Sequence, residues 1–228
     1  MRFLNISFAA GVMLLAIYSC NDRGNKYIDQ GEVHYSIEYV KSSGTMPVDL
    51  KPHTLVVSFK QDKILFEILA PFGNQGIMNV INPHAKIYDT YINMLGVRYY
   101  YSSSPGEIYP GFREMEGAEV NLTNNRTTIC GYSCKNAEVT FPSDRKKVYS
   151  FWYTDEINVN NSNFLTPFQE IDGVLMSFYY IMGGSVLRFE AESVYKKEIP
   201  DKAFEKRPKY RLVNKKDMDK IITDMVNL

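Results

Sequence analysis

Short runs of alternating polar and apolar residues, joined by tight turn signals, constrain this chain more than any other feature. In "GEVHYSIEYV", Val33, Tyr35, Ile37 and Tyr39 share one face while His34, Ser36 and Glu38 share the other, the period-two pattern of a half-buried strand. "TLVVSF" and "KILFEIL" follow, with Gln61-Asp62 between them as a tight hairpin turn. Leu55, Val57 and Phe59 then match Ile64, Phe66 and Ile68 as one buried set, with Ser58 and Glu67 pointing outward. "GIMNVI" and "AKIYDTYI" flank a turn at Asn82-Pro83-His84, and "VRYYYS" is a further strand. Residues 102–126 are irregular and read as the longest loop.

Beyond that loop the spacing predicts a strand over "ICGYSCKNAEVTF", a turn at Ser143-Asp144-Arg145 and a strand over "KVYSFWYT". Thr166-Pro167 reads as the N-cap and first residue of a short helix over "PFQEI". "VLMSFYYIM", Gly183-Gly184 and "SVLRFEAESVY" make a last hairpin. Met218, Ile221, Ile222 and Met225 are spaced for one face of a closing helix. About nine or ten strands joined by hairpins, with no strand–helix–strand rhythm, imply a mainly β fold of the α+β type. The expected architecture is a strongly curved antiparallel sheet, a half-barrel, with short covering helices.

The N-terminus sets the expected location. Arg2 precedes an uncharged run from Ile6 to Ile17, interrupted only by Ser7. A membrane span takes about 20 apolar residues, so this run reads as a signal peptide over residues 1–19. It ends in Ile17-Tyr18-Ser19-Cys20, which resembles the bacterial lipobox. The resemblance implies that Cys20 is the mature N-terminus and carries the lipid, holding the protein to the outer membrane of a bacterial envelope. Residues 20–30 read as a lipidated tether and 31–228 as one β-rich half-barrel domain. The full chain has a formal net charge of 0, which becomes −1 when Arg2 leaves with the signal, and no basic stripe argues for nucleic acid.

The last hundred residues or so carry a family resemblance. "ICGYSCKNAEV" matches an Ile-x-Gly-Tyr-x-Cys-Lys-x-Ala pattern entering a strand. "SFWYTDEI", "EIDGVLMSF" and the Ile-Pro-Asp-x-x-Phe of "KKEIPDKAFEKRPKYRLV" follow in order. Together they resemble envelope lipoproteins of the LolA/LolB-like half-barrel superfamily and the GLPGLI-type proteins. Where the latter name calls for Gly-Leu-Pro-Gly-Leu-Ile, this chain has Ile-Asp-Gly-Val-Leu-Met. The resemblance implies a hydrophobic half-barrel that carries or receives lipid or lipoprotein acyl chains.

No catalytic signature is present: no Gly-x-Ser-x-Gly, no His-Glu-x-x-His and no phosphate-binding glycine loop. Cys130 and Cys134 would lie about 13 Å apart in an extended strand, against about 7 Å for a disulfide. Two free buried thiols are therefore the first reading, with a strained disulfide and a metal behind it. His34, His53 and His84 form no pair with metal-ligand spacing. Glu190 and Glu192 alternate onto the solvent face beside Arg188. Asn121-Leu122-Thr123 fits a glycosylation sequon, incidental in a bacterial lipoprotein. Trp152 sits in a strand apolar on both faces, where packing is favoured over ligand contact.

No catalytic residue, metal or cofactor is expected. Two functions remain. The first is an apolar-ligand carrier whose ligand face holds Tyr35, Ile37, Tyr39, Val57, Phe59, Phe66 and Ile68, extended by Trp152 and Phe178. The second is an interaction scaffold whose sheet is filled by its own side chains. A binder needs an apolar pocket of about 300 Å³ or more.

Overall fold

The computed structural model describes residues 27–70, 73–94 and 96–227. Among these, twelve strands form one sheet. The first meander is β1 (Gln30–Lys41), β2 (Thr54–Lys60), β3 (Lys63–Ala70), β4 (Gly73–Asn82), β5 (Ile87–Met94) and β6 (Val97–Ser102). The second is β7 (Glu119–Ile129), β8 (Tyr132–Phe141), β9 (Asp144–Thr154), β10 (Val174–Met182) and β11 (Ser185–Tyr195). A two-residue strand, β12 (Arg211–Leu212), and a helix, α1 (Lys215–Val226), follow. The order is β12-β6-β5-β4-β3-β2-β1-β11-β10-β9-β8-β7, antiparallel throughout except for the parallel β12·β6 pair. The first and last long strands of the two meanders, β1 and β11, pair at the centre and join the halves.

The sheet curls without closing. Register shifts interrupt β1·β11, β9·β10, β7·β8 and β8·β9, and each extra residue bends its strand. The curl is seen at the β7–β8 tip, where the Cys130 thiol reaches the Ala191 carbonyl of β11 at 3.2 Å. Tyr35 of β1 donates its hydroxyl to the Leu175 carbonyl at 2.8 Å, tying the central seam to β10.

The main core fills the concave side. A smaller one lies outside, where Ile199 and Phe204 pack on Leu65, Val80, Ile87 and Tyr91. The Ile-Pro-Asp-x-x-Phe segment is thus a strap across the convex face of β3–β5. Asp201 fastens it through Lys63 at 2.8 Å and Lys60 at 3.2 Å.

Several expectations are corrected. The loop placed at 102–126 ends at residue 118, because 119–129 is strand β7. That strand is the sheet edge, and its nearly all-exposed residues show no alternation. Cys130 and Gly131 are a two-residue turn, at φ 51° and 81°, not strand interior. The turn expected at residues 143–145 lies at Pro142-Ser143, one residue earlier. Pro167 starts no helix. Thr166 Oγ1 accepts the Phe168 N–H at 3.1 Å, as a cap does, but buried Phe168 and Ile171 hold the segment as successive turns. The tether boundary at residue 30 is also too late, since Ile28 is buried and bridges Ile157, and β1 begins at Gln30. The signal peptide and Cys20 lie outside the described residues.

Candidate functional site: two apolar cavities on the inner face

Cross-strand register builds the concave face. Leu55, Val57 and Phe59 stand opposite Ile68, Phe66 and Ile64, and Val33 and Tyr35 continue the rows onto β1. Two cavities lie along this face.

The larger, of about 70 Å³, is bordered by Tyr35, Val57, Phe59, Phe66, Phe178 and Tyr180 from the sheet. Tyr109 and Phe112, from the β6–β7 loop, roof it together with Val159 and Asn163 of the β9–β10 segment. No regular element covers this end. The two loops are pinned together by the Tyr109 N–H to the Leu165 carbonyl at 3.0 Å. Asn163 donates to the carbonyls of Ile171 at 2.7 Å and Gly173 at 3.0 Å, which fixes the second loop from within. The Tyr109 hydroxyl is buried without a partner, and burial lifts its ionisation well above the ordinary phenol range.

The smaller cavity, of about 40 Å³, lies between Tyr39, Ile68 and Ile77 on the sheet, Met182 of β10, Met46 of the β1–β2 loop and Met225 of α1. Asn214 caps α1 by accepting the Asp217 N–H at 2.9 Å, and Met218 and Ile222 seat the helix in the core, with Ile221 and Met225 packed beside them. Lys51 also borders this cavity and is only 3% exposed. Its ammonium donates to the Ser43 carbonyl at 2.7 Å and the Val226 carbonyl at 3.1 Å, and lies 5.5 Å from the Tyr39 ring centroid. Burial draws it below the usual lysine range. Sequence reasoning missed Lys51, because a single lysine in a loop carries no signal of its partners.

Of the nine residues expected on the ligand face, Tyr35, Val57, Phe59, Phe66 and Phe178 border the larger cavity, and Tyr39 and Ile68 the smaller. Ile37 is buried between the two groups and borders neither. Trp152 is on the opposite side of the sheet: it pairs with Ser177, the neighbour of Phe178, so the two rings face apart. Its strand is not covered on both faces, since Val148 on the Trp152 side is 59% exposed while Tyr149 and Phe151 are buried.

Cys130 and Cys134 are both free, but only Cys134 is buried. Burial pushes the Cys134 thiol up to about 11, which leaves it a poor nucleophile at neutral pH. Glu190 pairs outward with Arg188 at 2.5 Å. Among the described residues no cluster of His, Cys, Asp or Glu converges as a metal site.

No family model matches this chain, and no curated protein matches it in sequence. Solved structures do match in shape. Two crystal forms of PNGF-II cover 86% of this chain, at 16% identity and a TM-score of 0.52 and at 19% identity and 0.48. This chain spans about a third of that protein, 34% and 32% of its length. A LolA superfamily protein from Nitrosomonas europaea is a more distant neighbour, at 14% identity and a TM-score of 0.34, covering 78% of this chain and 90% of that one. At these identities a likeness speaks to fold alone. The resemblance to the GLPGLI type rests on short sequence motifs alone.

Proposed function

We propose that this chain is a lipid-anchored bacterial envelope protein that binds an apolar ligand on the concave face of its half-barrel, without catalysis. One observation carries the reading: the inner face holds apolar cavities whose larger member is roofed by loops alone. Opening this roof means lifting the buried Tyr109 and Phe112 side chains and breaking the Tyr109–Leu165 backbone hydrogen bond, with no strand ladder to unzip. A cavity of about 70 Å³ holds only a few methylene groups. A longer chain enters as Tyr109, Phe112 and Asn163 move outward with their loops. Cys20 would hold the domain at the outer membrane, where such ligands are found, and no nucleic acid is a partner.

Two experiments bear on this. Solvent extraction of the purified full-length protein separates non-covalent lipid from a covalent anchor, and about one equivalent of acyl lipid is expected. Metabolic labelling with an alkynyl fatty acid should mark the protein, and Cys20→Ala should lose the mark.

A second reading, the filled interaction scaffold, is favoured by the same volumes. Cavities of about 70 and 40 Å³ fall far below the ~300 Å³ of a preformed ligand site. If extraction yields no lipid, that reading replaces the first.

A further inference from the structure

The two cavities are consecutive along the strands. On β3, Phe66 borders the larger and Ile68 the smaller; on β4, Asn79 and Ile77; on β10, Tyr180 and Met182. Residues two apart share a face and lie about 7 Å from each other. The cavities are therefore neighbours in line along the concave face. What stands between them is Ile37 on β1 and the rings of Phe66 and Tyr180, stacked at 6.2 Å and 27°. Three methionines, Met46, Met182 and Met225, border the smaller cavity. Methionine is the side chain that most readily repacks around a guest.

The far end of this line holds the Lys51 ammonium, at the C-terminal end of α1. Lys51 is buried, and among the described residues no carboxylate lies within ion-pair distance of it. An ammonium has three N–H donors, and two of them meet neutral carbonyls. The Val226 carbonyl belongs to the last turn of α1, whose negative dipole end favours a cation, and one N–H remains for the anionic head of a ligand. The Tyr39 ring offsets part of that charge without neutralising it.

We infer that the ligand of the inner face is an anionic amphiphile, a fatty acid whose carboxylate pairs with Lys51 and whose chain runs from the methionine-lined cavity past Phe66 and Tyr180 into the larger one. This rests on the apolar-ligand reading and names its ligand class. The head-group contact sits at the α1 end, between Ser43 and Val226. Between Ile68 and Ile64 the chain covers about 13 Å of strand β3. It turns the stacked Phe66–Tyr180 pair aside as it passes.

The test compares dansyl-labelled undecanoic acid with its methyl ester, titrated by fluorescence into the full chain. A charge-assisted hydrogen bond predicts that the acid binds about tenfold more tightly or better. Lys51→Met should remove that preference and leave ester binding within about threefold, while Lys51→Arg should keep it. Lys51→Met loses two internal hydrogen bonds, so its melting is measured alongside. The acid-to-ester ratio of the unmodified protein needs no variant. Equal binding of acid and ester overturns the head-group inference while sparing the apolar-ligand reading. A preference that survives in Lys51→Met overturns it as well. Binding of neither probe defeats the apolar-ligand reading itself, and the inference with it. Stronger competition by a lysophosphatidic acid than by the free fatty acid would assign the head to a phosphate instead.

Discussion

The two meanders share one sheet and one concave face, yet they fill it differently. In the second, rings interlock: Phe141, Tyr149, Phe151 and Phe168 are essentially inaccessible, with Phe151 and Phe168 edge to face at 5.0 Å. Where branched aliphatics and single rings of the first, on β2–β4, face Phe178 and Tyr180 of β10 beneath loops, the larger cavity remains. Flat rings at offset angles tile a curved surface, whereas a roof of loop side chains is tied down by backbone hydrogen bonds and cannot settle into every gap. Packing quality is thus a local property of this fold, and voids mark where the cover is irregular.

Substitutions separate the halves. The largest expected effect is Phe151→Ala, which empties a site walled by Phe168, Phe178 and Tyr179. It should destabilise by about 3–5 kcal/mol in urea denaturation. Adding volume should sharpen the contrast. Ala137→Leu, at a fully buried position opposite Phe151, should lose about 1–3 kcal/mol to overpacking. Val57→Leu, on the cavity wall, should be neutral or gain up to about 1 kcal/mol. Equal losses from the two insertions would show that the halves are packed alike.

The smallest effects are electrostatic and have opposite signs. Asp155, at the rim of the second meander, is held below the usual carboxylate range by its hydrogen bond to Lys135, at 2.6 Å. Its contribution is present above about pH 4 and is lost as pH falls through the depressed value. Asp155→Asn should therefore weaken the protein at pH 7 by less than about 1 kcal/mol, and the loss should shrink as pH falls through that depressed value. Glu67, on the convex side of β3, is pushed up by burial, which Arg207 only partly offsets. A raised carboxyl destabilises the folded state as pH climbs past about 4, so Glu67→Gln should gain stability at pH 7 and lose that gain below pH 4. Paired melting curves against pH check both signs.

Much of the fold is legible where alternation and turn chemistry coincide. Leu55, Val57 and Phe59 oppose Ile68, Phe66 and Ile64 as the sequence pairing around Gln61-Asp62 requires, and Gly183-Gly184 turns the β10–β11 hairpin. Strand β7 is not legible, because an edge strand wetted on both faces needs no alternation. Trp152 shows a different limit. Period two separates its neighbours onto two faces but does not say which face is inner, and the register shift between Leu175 and Ser177 breaks the count across strands. The Lys51 environment is assembled by segments 8 and 175 residues away, a distance over which periodicity carries nothing.

The central claim is that the loop-roofed part of the concave face admits an apolar guest. Titrating a fluorescent fatty acid into the unmodified protein and into Val57→Trp, with the melting temperature of each measured in parallel, tests it most directly. About one equivalent of uptake is expected for the unmodified chain. At least about a tenfold loss is expected in Val57→Trp, whose indole takes the cavity, with melting little changed. No uptake by the unmodified protein, or uptake that Val57→Trp leaves intact, would contradict it.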